Sequence, residues 1–60
     1  MKRSELIRQL LDAGCVLQRH GGRHDIYVNQ LTGRKQPVPR HNEIDDLLAK
    51  HIKKYLGLKN

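Results

Sequence analysis

A chain of 60 residues suffices for one domain, 1–60, and is too short to enclose a deep cofactor pocket. Its 12 Lys and Arg against 6 Asp and Glu give a net charge of +6, which favours negatively charged partners such as nucleic acids. The single cysteine excludes an internal disulfide and a zinc site built from thiolates, and no apolar run resembles a signal peptide or a membrane span. We therefore expect a cytoplasmic protein without a cofactor or a metal and without a membrane-spanning segment.

The first predicted element is a helix over residues 4–13. Four apolar residues recur at helical spacing and form one stripe: Leu6, Ile7, Leu10 and Leu11. Ser4 is the expected N-cap, because a serine hydroxyl can accept a hydrogen bond from a backbone N–H of the first turn. Gly14 follows where a residue with positive φ commonly ends a helix.

Three short strands are predicted next, over residues 15–19, 23–29 and 34–38. Glycine-containing turns separate them, which favours an antiparallel meander. Pro37 lies in the third strand and cannot donate to a sheet ladder, so we expect that strand at an edge and the second strand in the centre.

Alternation divides the second strand into two sets: His24, Ile26 and Val28 on one face, and Asp25, Tyr27 and Asn29 on the other. Because Ile26 and Val28 are apolar, we expect their face to contact the core, with His24 at its accessible rim. By the same geometry Asp25 cannot orient His24, and Tyr27 is expected on the open face, where it could stack on a base.

The last predicted element is a helix over residues 42–56, with Asn42 as its N-cap and Gly57 after its end. Its expected apolar side consists of Ile44, Leu47, Leu48, His51, Ile52 and Tyr55. The order α-β-β-β-α predicts an α+β fold in which two helices cover one face of a three-stranded antiparallel sheet. This is the order of elements in double-stranded-RNA-binding domains, which read RNA by shape and phosphates.

Basic residues are concentrated where acids are rare, since residues 13–42 contain a single acid, Asp25. Five cations there are candidate phosphate contacts: Arg19, Arg23, Arg34, Lys35 and Arg40. The alternative for each is an ordinary solvated charge. His24 follows a Gly-Gly turn and is the candidate proton-transfer group, because histidine titrates near neutral pH. The alternative is a hairpin residue without chemistry.

Five short motifs occur in order along nearly the whole chain: Arg3-Ser4-Glu5-Leu6-Ile7, Ala13-Gly14-Cys15-Val16, Gly22-x-His24 with Tyr27 behind it, Val38-Pro39, and Leu56-Gly57-Leu58. Together they resemble the HicA (YcfA-like) toxins, small bacterial mRNA interferases that are paired with HicB antitoxins. Many members of that family have Gly-Ser-His where this chain has Gly22-Arg23-His24, so the resemblance leaves the role of Arg23 open.

The resemblance implies a metal-independent endoribonuclease without a cofactor, which cleaves mRNA and is inhibited by a HicB-like antitoxin. It places catalysis on His24 and gives Gly22 the role of letting RNA approach the backbone. His41 is a possible second proton-transfer group, and the alternative for it is a residue at the entry to the last helix, whereas His20 is expected in a solvated turn and His51 at the edge of the core. Two other functions fit the sequence: a non-catalytic RNA-binding module of the same fold, and a small protein-interaction domain.

Overall fold

A computed structural model describes residues 1–58 and contains the five predicted elements in the predicted order; the last two residues of the predicted domain lie outside that range. The elements are α1 (Arg3–Asp12), β1 (Cys15–His20), β2 (His24–Asn29), β3 (Lys35–Pro39) and α2 (Asp46–Tyr55). The strands form one antiparallel sheet in the order β1-β2-β3. The predicted fold, resembling a double-stranded-RNA-binding domain, is therefore confirmed, and Pro37 lies in an edge strand.

Both helices contribute to one core on a single face of the sheet, which we call the covered face. The core consists of Leu6, Leu10, Cys15, Tyr27, Val38, Ile44, Ala49, Ile52 and Leu56. Burial raises the pKa of the Cys15 thiol, so this cysteine serves as a small apolar core residue. The opposite face of the sheet, the open face, carries no helix.

Helix α1 begins one residue earlier than predicted, and Ser4 is not its N-cap. Lys2 occupies the cap position without a side-chain hydrogen bond. The backbone N–H of Arg3 donates to the carbonyl of Asn42 at 2.9 Å, so a long-range contact satisfies one of the N–H groups that the start of a helix leaves without an intrahelical partner. Gly14 has a φ of 90° just beyond the helix, as predicted.

The two faces of β2 are the reverse of the prediction. Three residues point into the covered face and are 5–7% exposed: Asp25, Tyr27 and Asn29. The alternating residues His24, Ile26 and Val28 lie on the open face. Burial of polar groups is tolerated because they are hydrogen-bonded. Asn29 Nδ2, for example, donates to the carbonyl of Leu56 at 2.6 Å and joins the end of β2 to the end of α2.

Helix α2 begins at Asp46, and the residue that caps it is Asp45, not Asn42. The Asp45 carboxylate accepts hydrogen bonds from the backbone N–H groups of Leu47 and Leu48, at 3.1 and 3.3 Å. Asn42 lies well before the helix, where its carbonyl accepts from α1. As predicted, Gly57 follows the helix, with a φ of 92°.

The predicted apolar side of α2 was too wide. Leu47 is 78% exposed, and His51 and Tyr55 also lie outside the core. The rings of His51 and Tyr55 stack on each other instead, with centroids 6.3 Å apart. The small residue Ala49, which is 2% exposed, faces the core instead.

Candidate active site

His24 lies at the start of β2, directly after a two-residue loop formed by Gly22 and Arg23. The backbone N–H of Gly21 donates to the carbonyl of His24 at 2.7 Å and closes this hairpin. The His24 side chain is exposed on the open face. A substrate that approaches the tip of the hairpin can therefore reach the imidazole.

The two glycines before His24 have different surroundings. A Cβ atom placed on Gly21 would lie 2.8 Å from the backbone oxygen of His24, a distance that real Cβ atoms essentially never show. A Cβ atom on Gly22 would meet no heavy atom of the described residues within 4 Å. Gly21 is thus required by the hairpin itself, and the motif glycine Gly22 borders open space, where a ligand can approach the backbone.

Three of the candidate cations lie close to His24, and one of them is Arg40, whose Nη2 donates to the His24 carbonyl at 3.4 Å. Arg23 precedes it in the loop, and Arg19 pairs across the strands with Ile26, the next residue on the same face as His24. Diagonal neighbours on one sheet face lie about 7–8 Å apart, within reach of a long side chain. Lys35 pairs with Val28 and lies at the other end of the same face. The open face therefore carries a line of positive charge that begins at the histidine.

The structure places two other candidates at different ends of the sheet. Arg34 lies near α2, where its guanidinium is 5.4 Å from the centre of the Tyr55 ring and donates to the Tyr55 carbonyl at 3.3 Å. His41 is exposed in the segment after β3, two residues beyond Pro39, the strand partner of His24. Thus His41 lies on the His24 side of the molecule, and Arg34 on the opposite side.

Asp25, directly after His24, is the centre of an ion-pair network on the covered face. Arg3 Nη2 donates to its Oδ2 at 2.7 Å, and its Oδ1 accepts from Arg40 Nε at 2.9 Å and from His20 Nδ1 at 2.8 Å. The hydrogen bond from His20, followed by that from Arg40, lowers the pKa of Asp25 to about 2. The carboxylate therefore stays charged at every physiological pH.

Sequence reasoning placed Asp25 on the other face from His24, and this is the case, but it missed the network. The available signal was the position of Asp25 as the single acid in residues 13–42, surrounded by basic residues. His20 was expected in a solvated turn. It instead ends β1 with an exposed ring whose Nδ1 is fixed by the carboxylate.

The family model of the HicA toxin of bacterial toxin–antitoxin systems matches residues 3–58, almost the whole chain. The chain belongs to the HicA toxin family. No curated protein and no solved structure matches it. As a HicA toxin it is the toxin component of a toxin–antitoxin pair, and the corresponding partner is an antitoxin.

Within residues 1–58, this HicA toxin has neither a cluster of side chains that could bind a metal ion nor a helix that could span a membrane. Among residues 1–58, no three His, Cys, Asp or Glu side chains come together in a way that could hold a metal ion. No helix in the same range is long and apolar enough to cross a membrane. The side chains available for chemistry at the hairpin tip are the exposed imidazole of His24 and nearby arginines.

Proposed function

We propose that this HicA toxin is a metal-independent endoribonuclease that cleaves mRNA, with His24 as its catalytic residue and a HicB-like antitoxin as its inhibitor. The observation that carries the proposal is the exposed imidazole of His24 on an acid-free sheet face, next to Arg19 and Arg23. A phosphodiester that meets this face encounters positive charge and an imidazole, the side chain used most often for general acid–base catalysis.

RNA contains its own nucleophile, so the protein needs to supply only proton transfer and charge stabilisation. In the proposed reaction His24 accepts the proton of a 2′-hydroxyl as its oxygen attacks the adjacent phosphorus. The bond to the 5′ oxygen breaks, that oxygen takes up a proton, and a 2′,3′-cyclic phosphate remains. Arg19 and Arg23 would stabilise the charge on the non-bridging oxygens. General acid–base catalysis of this kind contributes about 10²–10⁴-fold.

His41 is the candidate donor of the proton to the leaving oxygen. It follows β3 close to Pro39, which pairs with His24 in the sheet. An exposed histidine at this point could reach the opposite side of a phosphodiester bound at the hairpin tip. Its contribution can be measured separately, because its replacement would remove the acid and leave the base in place.

RNA binding to the open face would depend mainly on phosphate contacts. Tyr27, the aromatic residue that sequence analysis expected on this face, is 6% exposed and belongs to the core. The face offers Val16, Ile26, Val28 and Pro37 to the bases and the cations Arg19 and Lys35 to the backbone. Since phosphate contacts carry no sequence information, we expect broad rather than narrow selectivity.

Induced expression in a bacterial host tests the proposal. Wild-type protein should arrest growth, and His24→Ala should abolish the arrest while accumulating to the same level. His51→Ala is the matched control, since His51 is an exposed histidine on α2, and it should arrest growth like the wild type. Arrest by the His24 variant would remove His24 from the mechanism, and absence of arrest by folded wild type would contradict the toxic activity.

A second candidate function is RNA binding without cleavage. The fold favours it, because the same arrangement of helices and sheet serves double-stranded RNA recognition in domains that have no catalytic activity. In that case the basic face would bind RNA and His24 would be one contact among several.

A further inference from the structure

The Arg40 side chain forms hydrogen bonds with backbone carbonyls of His24 and of the loop before it. Its Nη2 donates to the carbonyl of Gly21 at 2.6 Å and, at 3.4 Å, to that of His24, and its Nη1 donates to the carbonyl of Gly22 at 3.1 Å. The remaining nitrogen, Nε, donates to Asp25 at 2.9 Å. One side chain thus binds three carbonyl groups of a single tight turn.

The carboxylate of Asp25 fixes the direction of that guanidinium. Asp25 is itself held by Arg3 of α1 and by His20 at the end of β1. Arg3 Nε also donates to the carbonyl of Pro39 at 2.7 Å, next to Arg40 in the chain. Hydrogen bonds from Arg3 therefore fix both the backbone next to Arg40 and the carboxylate that accepts from its Nε. The loop before His24 is hydrogen-bonded to a guanidinium that is itself held in place.

We propose that Arg40 is a positioning residue for His24, and not the phosphate contact that its charge and sequence position suggest. The inference rests on the proposed ribonuclease function. An arginine has five N–H donors in a rigid fork, and four hydrogen bonds within the protein engage all three nitrogens of Arg40. Few donors remain for a phosphate, whereas the geometry matches the three carbonyls of the loop.

This arrangement fixes the place of the imidazole on the sheet. Gly21 and Gly22 have no side chains to pack, so the loop conformation depends on backbone hydrogen bonds. Without Arg40, the hairpin would lose the three contacts to its carbonyls, and the remaining Gly21–His24 hydrogen bond would open more often. Displacement of a catalytic group by about 1 Å costs about 100-fold in rate, so the loss should appear in kcat.

Arg40→Ala and Arg40→Lys test the proposal together. Lysine keeps the charge but cannot reproduce the fork, so both variants should lower kcat by about 10–100-fold and leave KM within about 2-fold. Lys35→Ala is the comparison variant: it removes an exposed cation at the far end of the open face and should raise KM with little change in kcat.

Amide hydrogen exchange supplies a readout that does not depend on cleavage. The Gly21 N–H should exchange at least about 10-fold faster in both Arg40 variants, while the amide of the core residue Leu10 reports any change in global stability. A lysine variant with wild-type kcat, or an alanine variant that raises KM alone, would overturn the proposal and make Arg40 a phosphate ligand. If the wild type cuts no RNA, the ribonuclease function fails. Unchanged Gly21 exchange in the Arg40 variants would separately overturn the positioning role of Arg40.

Discussion

Gly21 and Gly22 are neighbours in the His24 hairpin, yet only one of them has a backbone atom in the way of a side chain. Gly21→Ala would place a Cβ atom 2.8 Å from the His24 carbonyl oxygen. That oxygen belongs to the backbone, so it cannot move aside as the end of a flexible side chain could. We expect this variant to lower the free energy of unfolding by about 1–3 kcal/mol, as overpacking does elsewhere. Chemical denaturation measures it.

Gly22→Ala is the control, because open space surrounds the position. Its stability should stay within about 0.5 kcal/mol of the wild type. Loss of RNA cleavage by this stable variant would indicate that RNA approaches the backbone there. Equal destabilisation by both substitutions would contradict the hairpin geometry.

The charge on Asp25 makes the stability of the fold depend on pH in the acid range. Its pKa is about 2 in the folded protein, compared with an ordinary value of 3.8. A depressed carboxyl pKa stabilises the fold above the unfolded-state pKa, and this contribution is lost as pH falls through the folded-state value. Wild-type protein should therefore keep the contribution at neutral pH and lose it between about pH 4 and pH 2.

Asp25→Asn should lower the melting temperature at neutral pH and flatten its change with pH in this acid window. Asp12→Asn is the matched control, since Asp12 is exposed and, among residues 1–58, has a single ion-pair partner, Arg8, at 3.7 Å. Melting curves at several pH values give both slopes. An Asp25 variant with the acid dependence of the wild type would show that the network does not stabilise the fold.

At the scale of elements, the start of α2 shows how a tertiary contact changes a local signal. Both Asn42 and Asp45 are residue types that cap helices, and Asn42 lies two residues before Ile44, the first apolar residue of the periodic pattern. In the structure the segment before α2 runs beside α1, where Asn42 accepts from Arg3 and Ile44 donates to Met1. The helix consequently begins later, at Asp46.

Asp45→Ala should destabilise the protein by about 0.5–2 kcal/mol, because two backbone N–H groups of α2 lose their acceptor. Asn42→Ala should have an effect within about 0.5 kcal/mol, since it is the backbone carbonyl of Asn42 that forms the contact with α1. Urea denaturation of the two variants measures the difference. The reverse order of effects would place the helix start at Asn42.

Existence, type and order of all five elements could be predicted, because they depend on local periodicity and on glycine and proline signals. The face of β2 could not, since alternation gives two sets without saying which is buried. Hydrophobicity favoured Ile26 and Val28, but the burial of Asp25 and Asn29 depends on partners far away in the sequence: Arg3, Arg40 and the end of α2.

The candidate site shows the same division. The position of His24 after the glycine turn was evident from local sequence, and its exposure at the hairpin tip follows from that turn. Distances between the five candidate cations were not predictable, because they depend on strand register and on the bulge between Leu17 and Arg19. Only the folded chain shows that Arg19, Arg23 and Arg40 lie near His24 and that Arg34 lies beside α2.

For the whole molecule, the distribution of charge matters more than its total. The net charge of +6 is accompanied by a sheet face without acids, since Asp25 points to the covered side and is neutralised there by its neighbours. An anionic partner therefore meets no repulsion at the open face. The proposed RNA substrate would use this property.

Cleavage of RNA by purified protein in EDTA tests the central proposal most directly. Wild-type protein should produce fragments with 2′,3′-cyclic phosphate ends without added metal, since the proposed reaction uses protein side chains and the RNA 2′-hydroxyl. His24→Ala should still bind RNA and lose cleavage by about 10²–10⁴-fold, the contribution of general acid–base catalysis, whereas His51→Ala should cut like the wild type. Undiminished cleavage by the folded His24 variant, or RNA binding by the wild type without any cleavage, would contradict the account.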